Sequence, residues 1–429
     1  MIINMMKKFL VLLLTSVCIV CQAADFDHPL NLSELIDIAM TKNPLTHVAW
    51  RNAKRASAAL GMAKSANYPS FGVESFIKNG RDFKFVNGPN TDYTIIGADL
   101  VLSMMLFDFG ERQADIESAK YALSSAHWQT NWTLQKVMLD VLENAYALIH
   151  AEQLVNASSL SQEDAEIMMN SAVQLHGAGL VPITDVYTSR STLAQMKMDT
   201  EKQKGLRNIQ NGKLIAGLGI SADVNLQLAR IDVAPPVMKQ KMSELIALAN
   251  EQRADLLAKQ SQLSESLAKQ NKVKTLFRPR LALAATGGVN HAIHDKTNGC
   301  QYQALLSFSF PIFDGFQNFY QRSMAYNETQ ITAEELAKLR LDISLDVLTY
   351  RVTLETAQEM FIYAEDHLNN ARMAYEGVLE RYQAGKEHIS EVSNAHRQLL
   401  AARIRYSDVL TQLRVAAAYL AYSTGALLR

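Results

Sequence analysis

The chain repeats itself, and a long internal period limits the possible fold before any single element is considered. Leu32-Ser33-Glu34-Leu35-Ile36 returns as Met242-Ser243-Glu244-Leu245-Ile246, and Tyr68-Pro69-Ser70 returns as Arg278-Pro279-Arg280, each 210 residues later. Leu106-Phe107-Asp108 returns as Ile312-Phe313-Asp314, and Ile183-Thr184-Asp185-Val186 as Ile389-Ser390-Glu391-Val392, now 206 residues later. The offset changes once, between Pro69 and Asp108, so one four-residue insertion separates two otherwise equal halves. From Asp108 to Asp185, and from Asp314 to Glu391, the span is 77 positions, which predicts two matched struts.

Each strut is helical by pattern. Glu111 to His176 contains no glycine or proline, nor does Phe316 to Glu376, so each helix can run for roughly 100 Å at 1.5 Å per residue. Ile343, Val347, Tyr350, Leu354, Ala357 and Phe361 follow a 4, 3, 4, 3, 4 rhythm, and Leu134, Met138, Val141, Ala145 and Leu148 keep it in the first half. A seven-residue apolar repeat keeps one narrow stripe against a neighbouring helix and implies coiled-coil packing.

A second kind of segment sits between the helices. Tyr302, Ala304, Leu306, Phe308, Phe310 and Ile312 alternate with Gln303, Ser307 and Ser309. Ile96, Ala98, Leu100, Leu102, Met104 and Leu106 alternate with Asp99 and Ser103. Leu281, Leu283 and Val289 are set against Thr286 and Asn290, and Phe71, Val73 and Ile77 against Gly72, Glu74 and Lys78. Each half therefore carries a hairpin of roughly ten-residue strands, apolar on one side and polar on the other. Such strands suit an outer-membrane barrel with the apolar side on lipid and the polar side on a lumen. Four strands cannot close a barrel, and open edges are not tolerated in hydrocarbon. Two copies would give eight strands and a filled interior; three give twelve and a hole, so a cyclic trimer is the smallest conducting arrangement.

The ends and composition agree. Lys7 and Lys8, an apolar run from Phe9 to Val20 and Cys21-Gln22-Ala23 read as a secretory leader over residues 1–23, too short to span a bilayer. Val17 and Val20 precede Cys18 and Cys21 where a lipid-attachment site needs a small residue, so a free amino terminus near Ala24 is expected. The chain has 42 basic and 43 acidic residues, a balance that argues against nucleic-acid binding. After cleavage Cys300 is the only cysteine, which excludes an internal disulfide framework.

In order, duplication and spacing, these segments resemble the TolC family of outer-membrane efflux channels from about Leu30 to Gly425. The resemblance is carried by the Leu-Ser-Glu-Leu helix ending at Asn43-Pro44 and by Ala66-Asn67-Tyr68-Pro69-Ser70 before the first strand. It is carried further by Leu106-Phe107-Asp108-Phe109-Gly110 after the second strand and by the turn Gly179-Leu180-Val181-Pro182-Ile183-Thr184-Asp185-Val186. It implies a mixed α/β membrane protein: a homotrimeric twelve-stranded β-barrel continued into the periplasm by a long helical barrel. The implied plan is a first repeat over 24–213, an equatorial linker over 214–240 and a second repeat over 241–429. The hairpins fall at about 70–107 and 280–312, the long helices at 108–176 and 314–384, the tip turns at 177–182 and 384–388. Shorter helices are expected at 44–67, 183–213, 253–277 and 388–424, and outer loops over 79–91 and 290–299.

The resemblance also places the function. The two tip turns would close the tube and meet a periplasmic adaptor protein, making Gly179, Leu180, Val181 and Gly385, with Lys386 beside them, the docking candidates. Asp185 and Glu391 match acidic tip positions; three symmetry copies of each would converge on the lumen and attract cations. The plainer reading of Asp185 is an acidic residue in a helix's first turn, where it favours the dipole. This chain departs from the family at Asn394, where relatives carry a second aspartate, and at Glu387, where some carry a locking arginine, so a different polar lock involving Lys386 is expected.

Other chemistry is poorly supported. No Ser-His-Asp, Walker or zinc-hydrolase spacing occurs, no cofactor motif is present, and Gly177-Ala178-Gly179 follows a helix and lacks a third glycine, so it reads as a helix stop. His291, His294, Asp295 and Cys300 could ligate a soft metal, but His-x-x-His in an outer loop is more often solvated chain, and no metal is assigned. Tyr93, Phe107, Tyr302 and Phe313 are expected as interfacial aromatics near strand ends. The expected function is a passive exit duct for an inner-membrane pump and its adaptor, serving efflux or type I secretion and catalysing nothing. The competing reading is a soluble periplasmic coiled-coil scaffold whose hairpins form a small buried sheet.

Overall fold

The computed structural model describes residues 28–82, 91–224, 226–229, 240–294 and 296–428. The expected leader, and most of the linker from residue 230 on, lie outside them. Twelve elements follow in chain order: α1 (Leu32–Lys42), α2 (Pro44–Ser65), β1 (Ser70–Asp82), β2 (Thr91–Phe107), α3 (Glu111–Gly177), α4 (Ile183–Gly217), α5 (Met242–Gln252), α6 (Ala254–Thr275), β3 (Arg280–Ala292), β4 (Thr297–Ser309), α7 (Gln317–Gln383) and α8 (Ile389–Ser423). A single 3-10 turn at Ala426–Leu428 follows. Both long helices, α3 and α7, have 67 residues and both return helices have 35, while α1 matches α5 at 11 and α2 matches α6 at 22. Among the described residues no helix is long and apolar enough to cross a membrane.

The chain packs as two compact units. One comprises the described parts of Pro44–Leu139, Val237–Glu355 and Ala416–Arg429 and contains the sheet. Its strands form an antiparallel meander in the order β1-β2-β3-β4, so β2 and β3, from opposite halves of the chain, are neighbours. Register puts Val73, Leu100, Gly287 and Tyr302 in one row, and Ile77, Ile96, His291 and Asn298 in another. Because side chains alternate, one face carries Phe71, Val73, Ile77, Leu100, Val289, Leu306 and Phe308, all exposed. The opposite face carries Glu74, Asp99 and Gln301 in one row, with Gln301 Nε2 donating to Asp99 Oδ2 at 2.9 Å across Gly288. The outer edges, β1 and β4, are each 13 residues long.

The hairpins run further than expected. Residues 79–82 and 91 are in strand, as are 290–292 and 297–299, which trims the predicted outer loops; the segment 83–90 lies outside the described residues. Polar cross-strand pairs extend the ladders: Asn79 Nδ2 donates to Thr94 Oγ1 at 2.9 Å, Arg81 Nη2 to Asp92 Oδ2 at 2.9 Å, and His291 Nδ1 lies 2.8 Å from Asn298 Oδ1. Two of the expected interfacial aromatics need correction. Tyr93 pairs with Gly80 and shares the face of Asp99, not the apolar one. Tyr302 is on the apolar face but mid-strand, opposite Gly287. Phe313 lies just beyond the end of β4 and is exposed. Phe107 does reach the apolar face, but only because a β-bulge between Met105 and Phe107 shifts the register by one, so that Phe107 faces Leu281.

The Leu-Phe-Asp motif now has a cause. Asp108 accepts from the Arg112 backbone N–H at 3.0 Å and from Arg112 Nε at 2.7 Å, closing the first turn of α3. Arg112 Nη1 in turn donates to the Met105 carbonyl at 2.8 Å, tying strand end to helix start. Asp314 repeats the cap, accepting from Asn318 N at 2.8 Å. Deeper in this unit Ile343, Val347 and Leu354 are buried on the predicted stripe of α7, and Tyr350 stacks on Tyr419 with ring centroids 4.9 Å apart. Arg253, almost completely buried, binds Asp255 through Nε (3.0 Å) and Nη2 (2.7 Å) and Asp346 through Nη1 (3.0 Å). Burial alone would lower its pKa, but the two carboxylates raise it, so it stays charged.

The other unit comprises the described parts of Met1–Asn43, Asp140–Pro236 and Thr356–Val415. Here α1 opens on a capping box, with Asn31 Oδ1 accepting from Glu34 N at 3.0 Å and Glu34 Oε2 from Asn31 N at 2.9 Å. Leu30 forms a parallel bridge with Leu228, in the part of the linker that is described. α4 runs through Leu214 to Gly217, so the expected linker begins as helix. The core near the helix turns is Met168, Ala172, Leu175, Val186, Tyr375, Tyr382, Ile389, Val392, Ala395 and Leu399, from α3, α4, α7 and α8.

Candidate functional site

The two interhelical turns are built alike. After α3, the Gly179 N–H donates to the His176 carbonyl and the Leu180 N–H to the Leu175 carbonyl, both at 2.9 Å, with Gly179 at φ 77°. After α7, the Gly385 N–H donates to Tyr382 and the Lys386 N–H to Arg381, again at 2.9 Å, with Gly385 at φ 71°. This is the Schellman stop, and it needs a left-handed residue at the glycine. Pro182 then sits in extended conformation at the start of α4. One further strap is specific to the first turn: His176 Nδ1 lies 2.9 Å from the Val181 carbonyl oxygen and donates to it.

The expected site residues differ in burial. Asp185 lies in the first turn of α4 and is half-buried; Glu391 lies in the first turn of α8 and is exposed, as are Asn394 and Lys386. Gly179, Leu180 and Gly385 are exposed at the turns, Leu180 by 66%, whereas Val181 folds back onto the core. Glu387 is held by Arg381, whose Nη2 donates to its Oε2 at 2.9 Å. Within one chain, among the described residues, the ion pair of this turn joins Arg381 to Glu387 rather than involving Lys386.

The structure brings Asp185 together with a residue that sequence reasoning missed. The hydroxyl of Tyr382, on α7, reaches Asp185 Oδ2 at 3.4 Å, linking α7 to α4. Tyr382 is fully buried, and burial first, then the Asp185 charge, push its pKa up to about 12. The hydroxyl thus stays a proton donor across ordinary pH. One residue on, Gln383 Nε2 donates to Ser171 Oγ at 3.0 Å and joins α7 to α3. A signal existed: Tyr375 and Tyr382 stand seven residues apart on a helix whose apolar stripe has that period, and a tyrosine at a core position needs a partner for its hydroxyl.

His291 is hydrogen-bonded to Asn298, Asp295 lies outside the described residues, and among those described no group of three or more His, Cys, Asp or Glu side chains is placed to hold an ion. The family described as "Outer membrane efflux protein" matches residues 35–219 and 245–426. Protein CyaE of Bordetella pertussis is 25% identical over 412 residues, covering 94% of this chain and 86% of that one. Outer membrane protein TolC of Escherichia coli is 21% identical over 411 residues, covering 90% and 82%. Among solved structures, the CmeC outer membrane channel of Campylobacter jejuni aligns with a TM-score of 0.81 at 16% identity over 92% of this chain and 85% of that one. VceC of Vibrio cholerae aligns at 0.78 and 15% identity over 92% and 96%.

Proposed function

The chain belongs to the outer membrane efflux protein family, to which TolC belongs, and from that premise we propose that it is the outer-membrane exit duct of an efflux or secretion system in a Gram-negative bacterium. The family is one of channels, not of enzymes, and membership sets aside the soluble-scaffold reading. The observation that carries the duct reading is the sheet: four strands with one face apolar and uncovered, and two edges of 13 residues each. Unpaired edges in hydrocarbon cost several kcal/mol per backbone group, so β1 of one copy meets β4 of the next. Three copies close twelve strands around a water-filled lumen, with Glu74, Asp99 and Gln301 facing it.

The two repeats then place their turns together at the periplasmic tip. Tyr382 holding Asp185 keeps α7 against α4 and the tip narrow, with Glu391, Asn394, Lys386 and the Arg381-bound Glu387 bordering the opening. Gly179, Leu180, Val181 and Gly385 shape the surface that an adaptor engages, and an inner-membrane pump delivers cargo through it. Type I secretion is one setting that the family resemblance implies, and small-molecule export another, since the "Pyoverdine export outer membrane protein OpmQ" of Pseudomonas aeruginosa is 23% identical over 314 residues, covering 72% of this chain and 64% of that one. Planar-bilayer recording on detergent-purified protein tests the proposal. Light scattering should give a trimer that conducts ions; a monomer that stays dissolved without detergent and conducts nothing would end it.

A further inference from the structure

Two turns into α8 lies a histidine that the duct reading leaves unused. His396 is completely buried between α3 and α7. Its Nε2 is 2.9 Å from the Ser161 carbonyl oxygen of α3, so Nε2 carries the proton. Nδ1, the remaining nitrogen, is buried and has no hydrogen-bond partner. Tyr375 of α7 faces the ring at 5.7 Å between centroids and donates its hydroxyl to the Asp164 carbonyl at 3.1 Å. The charges acting on the ring are Asp164 from α3 and Arg403 from α8 itself, and they neutralise each other, Arg403 Nη1 donating to Asp164 Oδ2 at 2.7 Å and to Ser161 Oγ at 2.9 Å.

A proton arriving at Nδ1 therefore finds no acceptor, and the new charge has no free counter-ion. Burial holds His396 below the ordinary histidine value, the Ser161 and Asp164 contributions being too small to offset it. A solvated imidazole takes a proton near pH 6.5, the packed one only at lower pH, so between those values acid favours whichever arrangement exposes the ring. The flanking side chains are not idle, because Val392, Ala395 and Leu399 belong to the same core as Tyr382 and Val186. Moving α8 off α3 and α7 removes support from the latch at Asp185.

We propose that His396 is a proton-operated wedge: neutral, it seats α8 against α3 and α7; protonated, it drives α8 away and favours an open tip. Small ions pass freely through water-filled porins, so a periplasmic side chain titrates with the surrounding medium. The wedge rests on the duct reading for its consequence, not for its chemistry.

Bilayer conductance of the full chain should be followed from pH 8 to pH 5, above the carboxylate range, for the parent, His396→Gln, His396→Leu and the exposed His388→Gln. Parent and His388→Gln should rise as pH falls below about 6.5, by up to about tenfold per unit for each protomer whose His396 takes up a proton on opening, while both His396 variants stay flat. In parallel, amide exchange of residues 158–168 and 392–404 in the parent, corrected for intrinsic rates, should lose protection over the same range. A conducting parent with flat conductance, or a His396 variant that still rises, overturns the wedge and leaves the duct standing. Unchanged exchange protection overturns it even if neither variant folds. A parent that conducts at no pH overturns the duct, and exchange alone then decides the wedge.

Discussion

Replacing Tyr382 with phenylalanine removes one oxygen and keeps the buried ring, so it isolates the latch from the core. A hydrogen bond to a charged group contributes about 1.5–3 kcal/mol when well formed. Here the separation is 3.4 Å and Asp185 is half-buried, so about 1 kcal/mol per protomer is the appropriate figure. In a symmetric trimer whose three latches release together, about 3 kcal/mol shifts the closed-open equilibrium by roughly 150-fold. Single-channel recording should show the open-to-closed ratio of Tyr382→Phe rising by that order, and Asp185→Ala, which removes the acceptor, should act similarly. If the two residues form one latch, the double variant gains little over either single one. The pH range is also set: with the hydroxyl raised from 10 to about 12, the bond is intact below about pH 10 and fades as pH climbs through that interval. An open fraction within about twofold of the parent, or single effects that simply add, would refute the latch.

Three further outcomes are expected. Valine at Gly179 or Gly385 must adopt a left-handed conformation that costs about 1–2 kcal/mol, so exchange at that turn should quicken and adaptor cross-linking fall, without loss of trimer. In Gly288→Ala the added methyl would stand 2.7 Å from the Asp99 Cα, so the yield of gel-resistant trimers should drop sharply; an undiminished yield contradicts the register. Arg253→Met strands the Asp255 carboxylate and should lower stability by about 2 kcal/mol, less than the 3–5 typical of fully buried pairs because Asp346 is 43% exposed. Thermal unfolding by circular dichroism measures the loss, and adding Asp255→Asn should recover part of it.

Much of this architecture is written in local pattern. A stretch free of glycine and proline from Glu111 to His176 leaves little choice but one helix, and strict alternation at Leu306 to Phe310 fixes which side of a strand is apolar. The stops at Gly179 and Gly385 are legible too, because a left-handed helix end has few residues to choose from. Asp185 and Glu391 could be put in first helical turns from spacing alone. All of these are set by neighbours within one turn or one strand pair.

What the sequence left open was pairing. Periodicity names the face that will be covered but not the residue covering it, so the contact of Tyr382 with Asp185, 197 residues away, came only from the packing of α7 on α4. The same holds for His396, whose burial beneath Ser161 depends on helices 235 positions apart. Phe107 shows the limit at its smallest: alternation assigns it to the polar side, and one extra residue in β2, visible only against β3, turns it to the other. The chain by itself determined its helices, strands and stops, because those depend on local torsion and solvent preference. Only tertiary structure decided which polar groups satisfy one another, because that depends on distances between segments far apart in the chain.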